Sequence, residues 1–229
     1  MHKVIFKKYI PNLLTLANLF CGLLIIISAS QRQFDDVIYW AAAALFFDFL
    51  DGTIARILNV TSQLGKELDS LADIVSFGAA PSAVLYFFWS TDSAWAYSSL
   101  IIALFAAYRL AKFNTSVQHA DFFIGLPTPA FAIICFILPK IQTNFMGLRY
   151  VLLEPFFMVA FSIIGGLLLI GNYKLFSLKL GSTNKALNQI RLVFLALCVV
   201  LIVWLHFFGI FLCLVAYLGL SLSSQKNIQ

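Results

Sequence analysis

Long apolar stretches follow one another almost without interruption along this chain of 229 residues. A helix that crosses the hydrocarbon core of a bilayer needs about 20 residues, at a rise of about 1.5 Å each. Apolar windows of about that length, bounded by charged or turn-forming residues, predict membrane-spanning helices. They cover residues 10–29, 36–58, 69–90, 94–113, 128–144, 151–171, 190–206 and 209–223. We therefore expect an all-α, polytopic integral membrane helix bundle, with six core spans and two C-terminal spans.

The composition excludes a large domain outside the membrane. Apolar residues make up 62% of the chain and charged residues 11%, whereas soluble domains have about 45–50% apolar residues and about 25% charged ones. We expect a single membrane domain over residues 1–229, with a core at about 10–171. A C-terminal hairpin would cover about 190–223 and turn between His206 and Gly209. Any chemistry must then lie within the bundle or at its rim.

Basic residues predict the orientation in the membrane. The formal net charge is +5, which we attribute to lipid headgroups and topology rather than to a nucleic-acid partner. With the N-terminus inside, only Arg32, Lys140 and Arg149 fall on the outer side, as the positive-inside rule favours. The polar loops 59–68, 114–127 and 172–189 would then face the cytoplasm.

The N-terminus has two interpretations. Three early lysines, an apolar run and Ser28-Ala29-Ser30 also fit a signal peptide with a small-residue cleavage site. Polar residues at positions 12, 15 and 18 interrupt the apolar run, and Pro11 suits the first turn of a helix that is retained. We favour the retained helix.

Two predicted helices carry pairs of aspartates. On an ideal helix, Asp48 and Asp51 lie within about 60° of each other, with Gly52 and Ala55 on the same face and Arg56 at its edge. A charged group at membrane depth costs on the order of 2.5–3.5 kcal/mol and by default indicates a functional site.

The next helix repeats this arrangement, because Asp69 and Asp73 share a face with Gly65. Small residues on both faces let the two helices approach closely or leave a void for a ligand. Four carboxylates would then converge near the cytoplasmic surface.

The negative charge of such a cluster can be offset in three ways: by protonation, by pairing with Arg56, Lys66 and Arg109, or by binding of divalent cations. Oxygen ligands without His or Cys favour Mg²⁺, Mn²⁺ or Ca²⁺ over zinc. Carboxylates that bind metal ions, beside an arginine and glycines, are typical of phosphoryl-transfer sites. Two alternatives remain open: salt bridges at the helix ends, and a cation-coupled transporter.

The spacing Asp48-x2-Asp51-Gly52-x2-Ala55-Arg56-x8-Gly65-x3-Asp69-x3-Asp73 resembles the signature of the CDP-alcohol phosphotransferase family without departure. The resemblance implies a pair of divalent metal ions, Mg²⁺ or Mn²⁺. Asp48, Asp51 and Asp69 would be metal ligands, and Asp73 a ligand or the catalytic base. It also implies that the remaining signature residues accommodate the cytidine diphosphate: Gly52, Ala55, Arg56 and Gly65.

Three further stretches are similar to the bacterial and archaeal phosphatidylserine synthases of that family. They are residues 10–18, residues 69–81, and Arg109-Leu-Ala-Lys-Phe-Asn114 followed by 123–129. The resemblance covers roughly residues 10–130. One departure is Lys112, where we expect Arg; lysine keeps the charge but loses the bidentate geometry.

The same stretches supply the remaining candidate residues. Asn12 and Thr15 can contact the nucleotide or form hydrogen bonds at the helix end. Arg109 and Lys112 can pair with the acceptor carboxylate or a lipid phosphate, or merely anchor the helix. Thr128 before Pro129 fits a helix N-cap that binds an anion, or a simple cap.

The resemblance implies a membrane enzyme that transfers the phosphatidyl group of CDP-diacylglycerol to L-serine and releases CMP. Glycerol phosphate, inositol phosphate or a choline-type alcohol remain alternative acceptors. We expect it in the cytoplasmic membrane of a prokaryote, as a homodimer, with the active site on the cytoplasmic side.

Overall fold

The computed structural model describes residues 2–60, 62–90, 94–115, 122–144, 146–176 and 185–223. Its helices are α1 (His2–Ser30), α2 (Phe34–Ile57), α3 (Gln63–Asp73), α4 (Ala80–Trp89), α5 (Leu100–Thr115), α6 (Thr128–Asn144), α7 (Met146–Leu152), α8 (Pro155–Ile170) and α9 (Lys185–Ser223). A π-helical segment, Ile74–Ala79, joins α3 to α4, and a 3₁₀ segment, Ala94–Ser99, precedes α5. Of the predicted cytoplasmic loops, residues 116–121 and 177–184 lie outside the described residues.

Helix length and composition confirm a polytopic helical membrane protein. Among the described residues, five stretches are long and apolar enough to cross a bilayer: Tyr9–Ser30, Phe34–Ile57, Gln63–Trp89, Ala94–Thr115 and Phe194–Ser221. Thr128–Gln142 and Pro155–Ile170 are shorter apolar helices. The span predicted at 151–171 begins later than expected, because α7 ends at Leu152 and Pro155 occupies the first turn of α8.

Helix α1 begins earlier than the sequence indicated. Pro11 lies inside α1 rather than in its first turn, so that prediction is wrong. Proline lacks an N–H group, which leaves the carbonyl four residues earlier without its helical hydrogen bond. One turn further along α1, the Thr15 hydroxyl donates to the Pro11 carbonyl at 3.0 Å.

A tight turn fixes the angle between α2 and α3. Asn59 adopts a left-handed conformation with φ of 51°, which asparagine tolerates at helix ends. The Val60 N–H then donates back to the Ala55 carbonyl at 3.0 Å. Ser62 caps α3, because its hydroxyl accepts a hydrogen bond from the Gly65 N–H at 3.0 Å.

Helix α1 packs closely against the π-helical segment. The Ser76 hydroxyl donates to the Asn18 carbonyl at 3.0 Å, and both residues are fully buried. Gly22 makes this approach possible, since a Cβ atom there would lie only 2.5 Å from the Ser76 hydroxyl oxygen.

Two apolar clusters form the core, and both include side chains of α4 and α6. One joins them to α1 and α2, and the other joins them to α5, α8 and the 3₁₀ segment. At the end remote from the predicted site, Lys140 of α6 forms an ion pair with Asp35 of α2. Helices α4 and α6 thus form the centre of the bundle.

Two short strands lie at the site end of the bundle, and the sequence analysis did not predict them. Strands β1 (Phe122–Ile124) and β2 (Lys174–Phe176) pair antiparallel, with Phe123 opposite Leu175. The pairing ties the segment before α6 to the segment after α8.

Helix α9 bends sharply at His206, where φ is 50° and ψ is −123°. Across this bend the Phe194 and Tyr217 rings lie 6.1 Å apart. The Cys213 thiol lies 3.7 Å from the Cys198 carbonyl oxygen. Residues on either side of His206 therefore pack against each other.

Candidate active site

The four predicted aspartates lie on α2 and α3. Carboxylate oxygens of Asp48, Asp51 and Asp69 lie within 4.8 Å of one another, and Asp51 is buried. Asp73 follows Asp69 by one helical turn and interacts with the Asp48 carboxyl group. The helical spacing read from the sequence thus brings all four side chains into one cluster.

The donor set fits hard divalent cations. One oxygen of Asp51 and one of Asp73 are buried without a hydrogen-bond partner. Unpaired buried carboxylate oxygens are costly, and bound cations are one way to satisfy them. Carboxylates alone, without His or Cys, are the ligands that Mg²⁺ and Mn²⁺ prefer.

Ion pairing does not neutralise this cluster. Within the described ranges, no Lys or Arg nitrogen forms a salt bridge with any of the four carboxylates. Arg56 instead donates from Nε to the Gly52 carbonyl on its own helix, at 2.9 Å. Of the three ways to offset this charge that the sequence analysis considered, protonation and cation binding remain.

A cavity of about 550 Å³ opens beside the carboxylates, between α1, α2 and α3. Its lining includes Asp51, Asp69 and all six residues that we predicted for the nucleotide: Asn12, Thr15, Gly52, Ala55, Arg56 and Gly65. A Cβ atom at Gly52 would meet no atom within 4 Å, so this glycine faces open space. Gly52 therefore leaves a void, whereas a Cβ atom at Gly65 would lie 3.2 Å from the Asn12 side-chain oxygen, so α3 approaches α1 closely there.

Arg109 interacts with Asp73 and is not among the residues that line the cavity. It donates from Nη1 to the Thr128 hydroxyl at 2.6 Å, and its guanidinium carbon lies 5.8 Å from the centre of the Phe113 ring. Thr128 is thus an acceptor for Arg109 in addition to its place at the start of α6.

Tyr173 lies close to Arg109, but its phenol does not offset the positive charge of the guanidinium group. Burial raises the pKa of Tyr173 to about 12, and its hydroxyl donates to the Leu168 carbonyl. The phenol therefore stays uncharged at neutral pH, and Asp73 is the acid that interacts with Arg109.

Lys112 lies at the surface. Its ammonium group donates to the Asn172 side-chain oxygen at 2.6 Å, and the residue is exposed. Arg109 and Lys112, which the sequence analysis had grouped as acceptor residues, thus have different hydrogen-bond partners.

Other residues of the site were missed from the sequence. Ser62 and Gln63 line the cavity, and the N-cap pattern at Ser62 was the available signal. Lys66, which the sequence analysis considered as a partner of the carboxylates, lines the cavity as well. Asn114 donates to the Ser70 hydroxyl at 2.7 Å and joins α5 to α3; no local pattern indicates this contact.

The sequence profile described as CDP-alcohol phosphatidyltransferase matches residues 8–222. The chain belongs to this family. A relative from Helicobacter pylori (strain ATCC 700392 / 26695) is 35% identical over 191 residues, which cover 82% of this chain and 80% of the relative. One from Bacillus subtilis (strain 168) is 37% identical over 139 residues, or 60% of this chain and 78% of the relative.

An archaeal relative from Methanocaldococcus jannaschii is 39% identical over 125 residues, which cover 55% of this chain and 57% of the relative. All three relatives carry the name CDP-diacylglycerol–serine O-phosphatidyltransferase. The resemblance drawn from the aspartate signature is confirmed, and this family member is similar to its serine-using branch.

Proposed function

We propose that the protein transfers the phosphatidyl group of CDP-diacylglycerol to L-serine, which gives phosphatidylserine and CMP. The observation that carries this proposal is the cluster of four carboxylates, none of them in a salt bridge among the described residues, beside a cavity lined by the signature residues. The names of the family relatives support serine as the acceptor.

The cavity would hold the cytidine diphosphate part of the lipid, while the acyl chains stay in the bilayer. Its volume of about 550 Å³ falls within the range of small-molecule sites, about 300–1,000 Å³. Gly52 and Gly65 keep the wall free of side chains, and Arg56 and Lys66 place positive charge at the rim. The polar side of Asn12 and Thr15 faces the same space.

Asp48, Asp51, Asp69 and Asp73 would hold two divalent cations, Mg²⁺ or Mn²⁺. When bound, such ions offset negative charge on the diphosphate and on the departing CMP.

In the reaction, the serine hydroxyl oxygen attacks the β-phosphorus, the phosphorus–oxygen bond to CMP breaks, and Asp73 accepts the hydroxyl proton. The chain then needs no nucleophilic residue of its own, because the acceptor alcohol is the nucleophile. Arg109, which is one neighbour of Asp73, would pair with the serine carboxylate. Lys112 would act at the nearby surface or bind a lipid phosphate.

Charge favours serine over a phosphorylated acceptor. Arg109 is the cation that interacts with Asp73, and Lys112 is bound to Asn172 at the surface. Glycerol phosphate carries more negative charge and calls for more convergent cations. A transporter would place its acids near the membrane midplane, whereas Asp51 lies about 9 Å along the axis from the C-terminal end of α2.

We place the site on the cytoplasmic side of a prokaryotic inner membrane. Arg56, Lys66, Arg109 and Lys112 gather at the site end of the bundle, as the positive-inside rule favours for that side. The single domain with a C-terminal hairpin and the homodimer stay predictions, the latter open to cross-linking in native membranes.

The test is to supply purified protein with CDP-diacylglycerol and labelled serine or labelled glycerol phosphate, and to separate the lipid products. We expect label from serine alone in the product, and release of an equal amount of CMP. Asp69→Asn, with the same fold but an impaired cluster, is the matched control and should form no product. Incorporation of glycerol phosphate instead of serine would refute the proposed acceptor.

A further inference from the structure

Asn18 is a polar residue inside α1 whose side chain has no partner. It is fully buried, and both its amide nitrogen and its amide oxygen lack a hydrogen bond to any described residue. Burial of an unpaired amide is unfavourable. We therefore expect the Asn18 side chain to gain a hydrogen-bond partner during the reaction.

The neighbours of Asn18 on α1 locate its side chain. Thr15, Asn18 and Gly22 are spaced by three and four residues, so they share one face of the helix. Thr15 interacts with the Asp51 carboxylate, and Gly22 lies against Ser76. Asn18 thus lies between these two contacts, at the deep end of the carboxylate cluster.

Asp73, the last residue of α3, lies at the same height as Asn18 along the packed helices α1 and α3. Ser76 follows Asp73 by three residues and donates to the Asn18 carbonyl at 3.0 Å, so the Asn18 backbone lies against the turn that follows Asp73. The Asp73 Oδ1 atom is buried and has no hydrogen-bond partner. An unpaired amide donor and an unpaired carboxylate oxygen therefore border the same interface between α1 and α3.

We propose that Asn18 is a positioning residue whose side-chain amide donates a hydrogen bond to the Asp73 carboxylate and directs it toward the acceptor hydroxyl. The inference rests on the proposed function, in which Asp73 accepts the hydroxyl proton. An amide suits this task because it donates without carrying a charge of its own. Leucine has a similar size but cannot donate, so Asn18→Leu removes the hydrogen bond while filling the space.

The test measures single-turnover CMP release by Asn18→Leu with CDP-diacylglycerol and saturating acceptor. A hydrogen bond to a charged group corresponds to a rate loss of about 10- to 150-fold. Mn²⁺-dependent binding of CDP-diacylglycerol should be unchanged. The melting temperature should be equal or higher, because the substitution removes an unpaired buried amide. Ser82→Ala is the matched control: it removes another buried polar group, whose hydroxyl donates to the Ser99 carbonyl, and should leave CMP release unchanged.

A double-mutant comparison separates positioning from a structural role. If Asn18 acts through Asp73, Asn18→Leu should have no further effect on the residual rate of Asp73→Asn. An equal loss in both backgrounds would overturn the proposal. So would an unchanged rate in the single variant, a proportional loss of nucleotide-lipid binding, or a lowered melting temperature.

Two acceptors are compared, so that failure of the proposed role of Asn18 can be distinguished from failure of the proposed serine specificity. CMP release is recorded with serine and with glycerol phosphate for every variant. Release by the wild type with glycerol phosphate alone would refute the proposed serine specificity. In that case, the CMP-release rates of Asn18→Leu and Asp73→Asn would be compared with glycerol phosphate as the acceptor. The same criteria would then decide the role of Asn18.

Discussion

Replacing Gly22 by alanine tests the close packing of α1 against the π-helical segment. The new Cβ atom would lie 2.5 Å from the Ser76 hydroxyl oxygen and 2.9 Å from the Ser76 Cα atom. Ordinary contacts begin at 3.4 Å, so the two helices must separate by at least about 0.5 Å at this point. The Ser76 hydroxyl cannot turn away freely, because it donates to the Asn18 carbonyl.

The cost of this contact outweighs the gain in helix propensity. Overpacking of this kind costs about 1–3 kcal/mol, while alanine in place of glycine inside a helix contributes about 1 kcal/mol. We expect Gly22→Ala to lose up to about 2 kcal/mol of unfolding free energy, the overpacking cost less the propensity gain. For a chain of this size that corresponds to a melting temperature lower by up to about 8 °C.

Gly52→Ala is the matched control, because it makes the same chemical change in α2. A Cβ atom at Gly52 would meet nothing within 4 Å, so only the propensity gain of about 1 kcal/mol should appear in stability. The added methyl group projects into the space beside the cavity and should weaken binding of CDP-diacylglycerol. Thermal unfolding in detergent and a nucleotide-lipid binding assay measure the two effects. Equal melting temperatures for the two variants would refute the packing argument.

Three further predictions concern the carboxylates and their neighbours. Asp48→Asn or Asp69→Asn should abolish turnover while the protein still inserts in the membrane, and wild-type activity should need Mg²⁺ or Mn²⁺; full activity in excess EDTA would contradict this. Arg109→Ala should raise the KM for serine by about 10- to 150-fold and leave that for CDP-diacylglycerol unchanged, with Lys112→Ala as the milder comparison; equal effects on both substrates would reassign Arg109. Asp73→Asn should slow single-turnover transfer by about 10²- to 10⁴-fold while Mn²⁺-dependent lipid binding persists; a proportional loss of binding would assign Asp73 to the metal alone.

The carboxylate cluster could be predicted from sequence because it depends on local helical periodicity. Asp48 and Asp51 share a face by their spacing alone, and so do Asp69 and Asp73. The projection fails beyond Asp73, where the π-helical segment begins. Each π turn takes more residues than an α turn, so an angle counted through Ile74–Ala79 no longer gives the true face.

Contacts between distant segments could not be derived in this way. The approach of Gly22 to Ser76 depends on how two helices pack, and neither residue is unusual in its own stretch. The pairing of β1 with β2 joins segments about 50 residues apart, and three-residue strands leave too short a pattern to detect. Lys112 shares the helix of Arg109 but faces the surface, because its partner Asn172 comes from the end of another helix.

The short helix α8 has a consequence for the surrounding lipid. Its apolar stretch, Pro155–Ile170, spans about 24 Å at about 1.5 Å per residue, and Ile164 and Leu167 are exposed on its surface. The hydrocarbon layer is about 30 Å thick, and a helix that falls short of it thins the bilayer locally. We therefore expect headgroups beside α8 to lie deeper than in the bulk membrane, which would reduce the distance between a lipid diphosphate and the carboxylates below the helix ends.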